Sequence, residues 1–555
     1  MFSIKRVWRR AVRFDPSLVM LRSTAVQTAA MLASYGSALL LEHFAHLHVD
    51  VVMQAAVLGM TTSRVQRAVT TVERLPAFVV VPLVAMGASE VGRLMGTHPN
   101  IGDALFVFGV ALSIWVRRFG ARASRIGTLM VLPLIATLVL QGQAAGFEPQ
   151  LYTLWLGLVG LIACAWVFVL QEAAGRTGLV RLPHAPVSGP PRKARILTST
   201  KMALQMAVAL GTAFFAGREL WPTHWSWTVL TAFIVCSAAR SRGDVLLKGV
   251  LRVVGAAIGT IVATEAAGSF GPHADMPVVL IFTAIAVATW LREASYIYWA
   301  ACVTAVLSLL YGWFGESADS LLRTRLEGIG IGAAIGITAA WLILPIRTRD
   351  AVRARTAATL GELGTLLGAE AWADRATLLR QMARFERFCA LMGQLAQSVN
   401  AQRWLAVRVL RRGGDRVYAA DVVEALRGCV QPARVMVRGV LGLGASRDDP
   451  AIIAARDGVA ANTSAIRKAI GRKPGTAYAP VLIDPSASDD AAPRQVFEAL
   501  AQIDAALGRI ARFYPPTEAP SDEAEAPAEQ KTSLEPKPKL DTEPAANHAA
   551  SAAES

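Results

Sequence analysis

A chain of 555 residues that is 54% hydrophobic and only 17% charged, with a mean hydropathy of +0.41, is too apolar for an ordinary soluble globule. Its net charge of +15 is carried by Arg and Lys gathered in short stretches between charge-free apolar blocks, the habit of membrane-protein loops and not of a surface that reads nucleic acid. The five cysteines are scattered without a CxxC spacing, which argues against a structural zinc or a redox pair and reads as inert buried thiols.

Residues 1–20 form a basic leader. Met1–Arg13 lacks the compact small-residue cleavage pattern of a secretory signal, so the leader is expected to be retained on the cytoplasmic side. Apolar segments then predict twelve membrane helices, at 21–42, 49–63, 75–95, 101–117, 125–142 and 150–171, then 199–217, 224–239, 249–268, 276–291, 295–313 and 323–345. The second and eighth are short and should lean on neighbours.

The two sets of six carry the same landmarks in the same order. Gln27, Ser63-Arg64 and Arg74 recur as Gln205, Ser241-Arg242 and Arg252 at an offset of 178. After a three-residue deletion the offset is 175: Ser89-Glu90 becomes Thr264-Glu265, Trp115-Val116-Arg117 becomes Trp290-Leu291-Arg292, and Ala165-Trp166 becomes Ala340-Trp341. The reading is therefore an all-α polytopic membrane protein built from two six-helix parallel repeats, 21–172 and 199–346. Six being even, both repeats insert the same way up, with a pseudo-twofold axis along the membrane normal. Basic loops follow the even-numbered helices, which puts both termini in the cytoplasm.

A Pro- and Gly-containing linker, 173–198, joins the repeats. From 347 to 514 Ala, Leu, Arg and Glu dominate at helical spacing, notably over 351–367, 376–395 and 421–440, which predicts a cytoplasmic helical domain with breaks at Gly413-Gly414 and near Pro480–Pro485. Residues 515–555 form an acidic tail rich in Pro and Ala and without aromatics, which cannot bury enough apolar surface to fold.

Two segments read as a signature: Trp225-Ser226-Trp227-Thr228-Val229-Leu230-Thr231-Ala232 followed by Arg240 and Lys248 through Gly259, and Arg325-Leu326-Glu327-Gly328-Ile329-Gly330-Ile331-Gly332. These resemble the fusaric acid resistance (FUSC) family of bacterial inner-membrane proteins, which includes aromatic acid exporters. The resemblance is clearest over 199–347 and fainter over 21–172. Here both membrane blocks are adjacent and the soluble portion follows, whereas several relatives place it between them. What the resemblance implies is efflux of small organic acids or toxic aromatics, in some members with a periplasmic adaptor protein.

Candidate pathway residues come from the repeat. Glu90 and Glu265 are matched carboxylates about 20 Å along their helices at 1.5 Å per residue, where an ionisable group is expensive and tends to be functional. Arg93, one turn after Glu90, offers that residue a plain interfacial ion pair instead. The matched pairs Arg64/Arg242, Arg74/Arg252 and Arg117/Arg292 fall at cytoplasmic helix ends. They either gather an anionic carboxylate bidentately or only orient the helices. Gly255/Gly259 and Gly328/Gly332 are small-xxx-small pairs that fit close helix packing. His43, His46 and His48 with Asp50 have a spacing that fits a metal only weakly.

No P-loop, catalytic triad or metalloprotease helix is present, and no catalytic residue, metal or cofactor is expected. The leading reading is a gradient-driven transporter for a small organic acid in the lipid bilayer. An anion-channel-like pore and a non-transporting scaffold are its rivals.

Overall fold

The computed structural model describes residues 18–46, 49–67, 69–139, 149–180, 198–237, 241–267, 275–292, 295–313, 318–345, 348–404, 418–484 and 490–516, with Asp15 and Val407 as isolated positions. Most of the basic leader (1–14 and 16–17), the core of the linker, Gly413-Gly414 and the tail beyond 516 lie outside them. The described residues form helices and connecting turns, without a strand.

Each apolar block folds as a helix. In the first set these are α1 (Val19–Ala45), α2 (Val49–Gln66), α3 (Ala77–Thr97), α4 (Pro99–Trp115), α5 (Ala121–Val139) and α6 (Pro149–Arg176). In the second they are α7 (Thr198–Leu220), α8 (Ser226–Cys236), α9 (Arg242–Ala267), α10 (Asp275–Leu291), α11 (Tyr296–Trp313) and α12 (Ala318–Leu342). A one-turn helix, Thr71–Arg74, precedes α3, and a 3-10 turn, Val116–Phe119, follows α4.

Seven of these are long and apolar enough to cross a bilayer: α1, α3 with the turn before it, α4 with the turn after it, α5, α6, α9 and α12. Their apolar windows are only 28–44% buried by protein. Side chains such as Leu40, Phe44, Leu83, Phe108, Phe215 and Ile261 are more than 60% exposed. Such a surface needs lipid as its solvent, and the chain is a multi-pass membrane protein. Three further apolar helices are shorter, at Ser226–Cys236, Val279–Leu291 and Tyr296–Leu309. At 11 residues α8 rises about 16 Å, half a hydrocarbon core, and nine of its residues are buried among its neighbours.

Contacts within the first set join α1 with α2, α1 and α2 with α6, α3 with α5 and α6, and α4 with α5. Within the second, α7 meets α8, α7 and α8 meet α12, α9 meets α11 and α12, and α10 meets α11. Between the sets, α4 packs along α7, and α10 less extensively along α1. Phe106 of α4 meets Phe214 of α7 edge to face at 5.6 Å, and Tyr35 of α1 meets Phe282 of α10 at 4.9 Å. One apolar cluster runs from Ala88, Phe106 and Leu134 of the first set to Met206, Phe214 and Val229 of the second. Gln27 donates to the Met60 carbonyl at 2.9 Å, and Gln205 to that of Ile343 at 2.7 Å.

The portion after α12 is a helical unit around a single core: α13 (Thr348–Leu367), α14 (Arg375–Trp404), α15 (Ala419–Gly428), α16 (Val430–Gly442), α17 (Pro450–Gly471) and α18 (Ala491–Phe513). The periodicity over 421–440 predicts one helix, and the structure has two, parted at Cys429. The reason is Pro432, whose ring clashes with the carbonyl of residue 428 in an unbroken helix. This unit meets the membrane helices where α9 begins, with α13 and α14 against α9. A Cβ on Gly243 would run into Gln402 and Thr348 there.

Candidate functional site

Two of the matched arginines are buried. Arg74, at the end of the one-turn helix before α3, is 1% exposed, and Arg252, ten residues into α9, is 2% exposed. Arginine does not shed its proton, so each guanidinium carries its charge into the fold.

The local structure treats the two differently. Glu73, in the turn that carries Arg74, accepts from the Thr70 amide and pairs with Arg125 at 2.5 Å, which fixes the turn. Arg74 Nη1 lies 3.5 Å from the Glu172 carboxylate of α6, which Thr71 and Arg176 hold at 2.9 and 3.2 Å. Arg252 has no ion pair among the described residues, and its buried Nε and Nη1 have no acceptor. Among the described side chains, the acids of α9 and α12 are committed elsewhere, Asp244 to Lys248 at 3.8 Å and Glu327 to Arg323 at 2.9 Å. The phenol of Tyr296, first residue of α11, lies within electrostatic reach of Arg252, and its buried hydroxyl also has no hydrogen-bond partner among the described residues. A desolvated, unsatisfied guanidinium is destabilising by several kcal/mol, roughly, unless an anion completes its hydrogen bonds.

The remaining arginines line the ends of their helices. Arg64 is exposed. Arg117 is half-buried in the 3-10 turn, with an Nε that finds no acceptor. Arg242 stacks on Trp341 at 5.2 Å and Arg292 on Trp299 at 4.4 Å, contacts that hold a cation at an aromatic face. The six matched arginines thus divide into two buried groups and four at or near the surface.

Glu90 is 41% exposed, pairs with Arg93 at 2.9 Å and accepts from Thr153 at 2.8 Å. That is the geometry of an anchored carboxylate. Glu265 lies in the last turn of α9, and its side chain falls outside the described residues, as does His48 of the histidine-rich turn. The glycine pairs sit where helix backbones touch. A Cβ on Gly255 would come within 2.6 Å of Ala300 Cβ, and one on Gly259 would strike the Ala301 carbonyl, both on α11. On α12, a Cβ on Gly328 would lie 3.2 Å from Thr228 Oγ1, and one on Gly332 would strike the Thr228 carbonyl of α8.

A second polar constellation was not anticipated from the sequence. Arg218 at the end of α7 clasps Asp103 of α4 through two bonds of 2.6 and 2.7 Å, donates to the Met95 carbonyl of α3 at 3.2 Å, and stacks on Trp225 at 4.4 Å. Its position depends on a tight corner. α3 and α4 are separated by His98 alone, Pro99 opens α4, and Gly102 rests against the Met95 backbone where any Cβ would collide. The clasp closes one end of a cleft of about 580 Å³ between α4 and α7, lined by Val107, Phe108, Phe214 and Phe215. The available signal was a lone Asp near the start of a membrane helix together with an Arg outside the basic-loop pattern. Arg325 of α12 is a third buried guanidinium, 2% exposed, donating to Ser308 at 2.9 Å.

Residues 206–339, from α7 to α12, match the family model described as fusaric acid resistance protein-like, so the second helix set carries a FUSC-like domain. No curated protein matches the chain.

Proposed function

We propose that this protein is a gradient-driven exporter of small aromatic or other organic acids in the bacterial inner membrane, and that it catalyses no chemical step. The observation that carries the reading is Arg252, a buried cation with no counter-charge among the described residues, in a membrane-embedded FUSC-like domain. A carboxylate that entered the bundle would supply what that guanidinium lacks, two acceptor oxygens and one negative charge.

The reading uses twelve spanning helices in two parallel repeats, with both termini cytoplasmic. Recurrence of the helix contacts, α1 to α6 against α7 to α12, supports it. So does the cross-set aromatic pair of Phe106 with Phe214: the repeat offsets carry Tyr35–Phe282 to positions 213 and 107, one residue from it on each helix. A twofold relation of this kind leaves a route between the halves. Arg64, Arg117, Arg242 and Arg292 would concentrate anions at the cytoplasmic mouth, and Glu265 would couple release to protons. Energy must come from a gradient, and a periplasmic adaptor could receive the product.

The test is uptake of radiolabelled benzoate into inside-out vesicles. Accumulation above the external concentration, abolished by a protonophore and by Arg252→Gln, is the expected result. A benzoate conductance in planar bilayers with no proton-coupled accumulation would replace the exporter by an anion pore.

A further inference from the structure

We propose that the duplicated bundle holds one anion site per chain, not two: Arg252 with the Tyr296 hydroxyl takes a single carboxylate, while the equivalent Arg74 is permanently neutralised from within. The inference rests on the organic-acid reading and sharpens it, because duplication alone would make the two halves equivalent.

The repeat register shows how the difference arose. Glu172, the acid beside Arg74, stands at an offset of 175 from Arg347, so the second half has a cation in the sequence position where the first half has its counter-ion. In the same register Tyr296 of the second half replaces Ala121 of the first. At these two register positions the first half has a carboxylate and no phenol, and the second a phenol and no carboxylate. Glu265 cannot take the acid's place, being thirteen residues from Arg252 on one helix and so about 20 Å away along it.

The chemistry of the unoccupied donors fits a carboxylate. Arg252 has two buried N–H groups, Nε and Nη1, without acceptors among the described residues. The Tyr296 hydroxyl is a third donor. Because Nε–H and the Nη1 hydrogens open on different edges of the guanidinium, a carboxylate meets Arg252 through one oxygen and the Tyr296 hydroxyl through the other. Arg74 also leaves Nε and Nη1 without hydrogen bonds, but its charge is already countered by Glu172 at 3.5 Å. A second carboxylate there would face the first and be repelled.

The experiment uses the purified full-length protein in detergent, with radiolabelled benzoate replacing chloride at constant ionic strength and binding read by equilibrium dialysis. The wild type should hold one benzoate per chain. Arg74→Gln should bind as the wild type does. Arg252→Gln should lose the bound equivalent, and Tyr296→Phe should weaken it by roughly 10-fold or more, as expected for one hydrogen bond to a charged group. Glu172→Gln should gain a second equivalent, because it frees Arg74. That variant and Tyr296→Phe remove no buried cation, so they remain decisive if Arg252→Gln fails to fold.

Two equivalents in the wild type, or equal loss from Arg74→Gln and Arg252→Gln, would overturn the single site and leave the export reading standing. No binding to the wild type, while inside-out vesicles still accumulate benzoate, would overturn the Arg252 site alone. No binding and no accumulation would overturn both.

Discussion

Asp504 of the C-terminal helical unit is 4% exposed and accepts hydrogen bonds from Asn462 at 2.8 Å, the Tyr478 hydroxyl at 3.0 Å and the Val481 amide at 3.0 Å. These bonds strap the helix-free segment after α17 onto α17 and α18. Burial first, and then the bond to Asp504, push the Tyr478 phenol up to about 12. The folded state therefore holds this proton more tightly than the unfolded chain, whose tyrosines titrate near about 10. Its stabilisation is complete below about pH 10 and is lost as the pH rises toward the folded value. Tyr478→Phe should destabilise the C-terminal helical unit by about 1–2 kcal/mol at neutral pH in urea unfolding, and should flatten the alkaline fall. An unchanged alkaline limb in the variant would assign that fall to another group. The Arg218–Asp103 clasp allows a similar test. Asp103→Asn should lower the thermal midpoint in detergent more than Asp103→Asn combined with Arg218→Met, because the single change leaves a cation without its partner. At this scale the sequence was partly legible. The repeat register picked out Arg74 and Arg252 as a pair, but Tyr296, Asp103 and Asp504 owe their roles to partners far away in sequence, which no periodicity encodes.

Backbone contact sets the spacing between α9 and α11 and between α12 and α8. Gly259 and Gly332 each abut a carbonyl of the facing helix, whereas Gly330, on the same helix as Gly332, has open space where its Cβ would be. Gly332→Leu and Gly259→Leu should each lower the melting temperature of the detergent-solubilised protein, by an overpacking penalty of about 1–3 kcal/mol or more. Gly330→Ala should be neutral or raise it, by about 0.4–1 kcal/mol from reduced freedom of the unfolded chain. Equal effects at 330 and 332 would show that helix propensity, and not close approach, governs both. The elements themselves were largely readable, because long apolar blocks punctuated by charge leave few alternatives to helices. Two kinds of error mark the limit. The periodicity over 421–440 outweighed Pro432, although the ring enforces a break. And the periodicity singled out neither α17 nor α18 within the C-terminal helical unit, although Val496, Leu500, Ile503, Leu507 and Ile510 form a clear buried stripe on α18. Interruption by Asp504 and Arg509 weakened that stripe to the eye, yet Asp504 is itself buried by its hydrogen bonds.

Between the two helix sets, the α4–α7 contact is extensive and the α1–α10 contact slight. If a twofold axis relates the sets, such an imbalance means that the two seams are caught at different degrees of closure, with the α1–α10 side the one free to part. Disulfide trapping can read this directly. A protease site placed within 181–197 cuts the chain between the sets, so that only a bridge across a seam holds the fragments together on a non-reducing gel. Paired cysteines at Phe106 and Phe214, whose rings are 5.6 Å apart, should cross-link rapidly and leave benzoate accumulation largely intact if that seam stays shut throughout transport. Paired cysteines at Tyr35 and Phe282, 4.9 Å apart, should also cross-link, and the bridge should stop accumulation until reductant is added, because it pins the seam that must open. Arrest by the first bridge and not the second would place the moving seam on the α4–α7 side, where the Arg218–Asp103 clasp would then be its latch. Free transport with both bridges closed would mean that the acid does not travel between the sets at all.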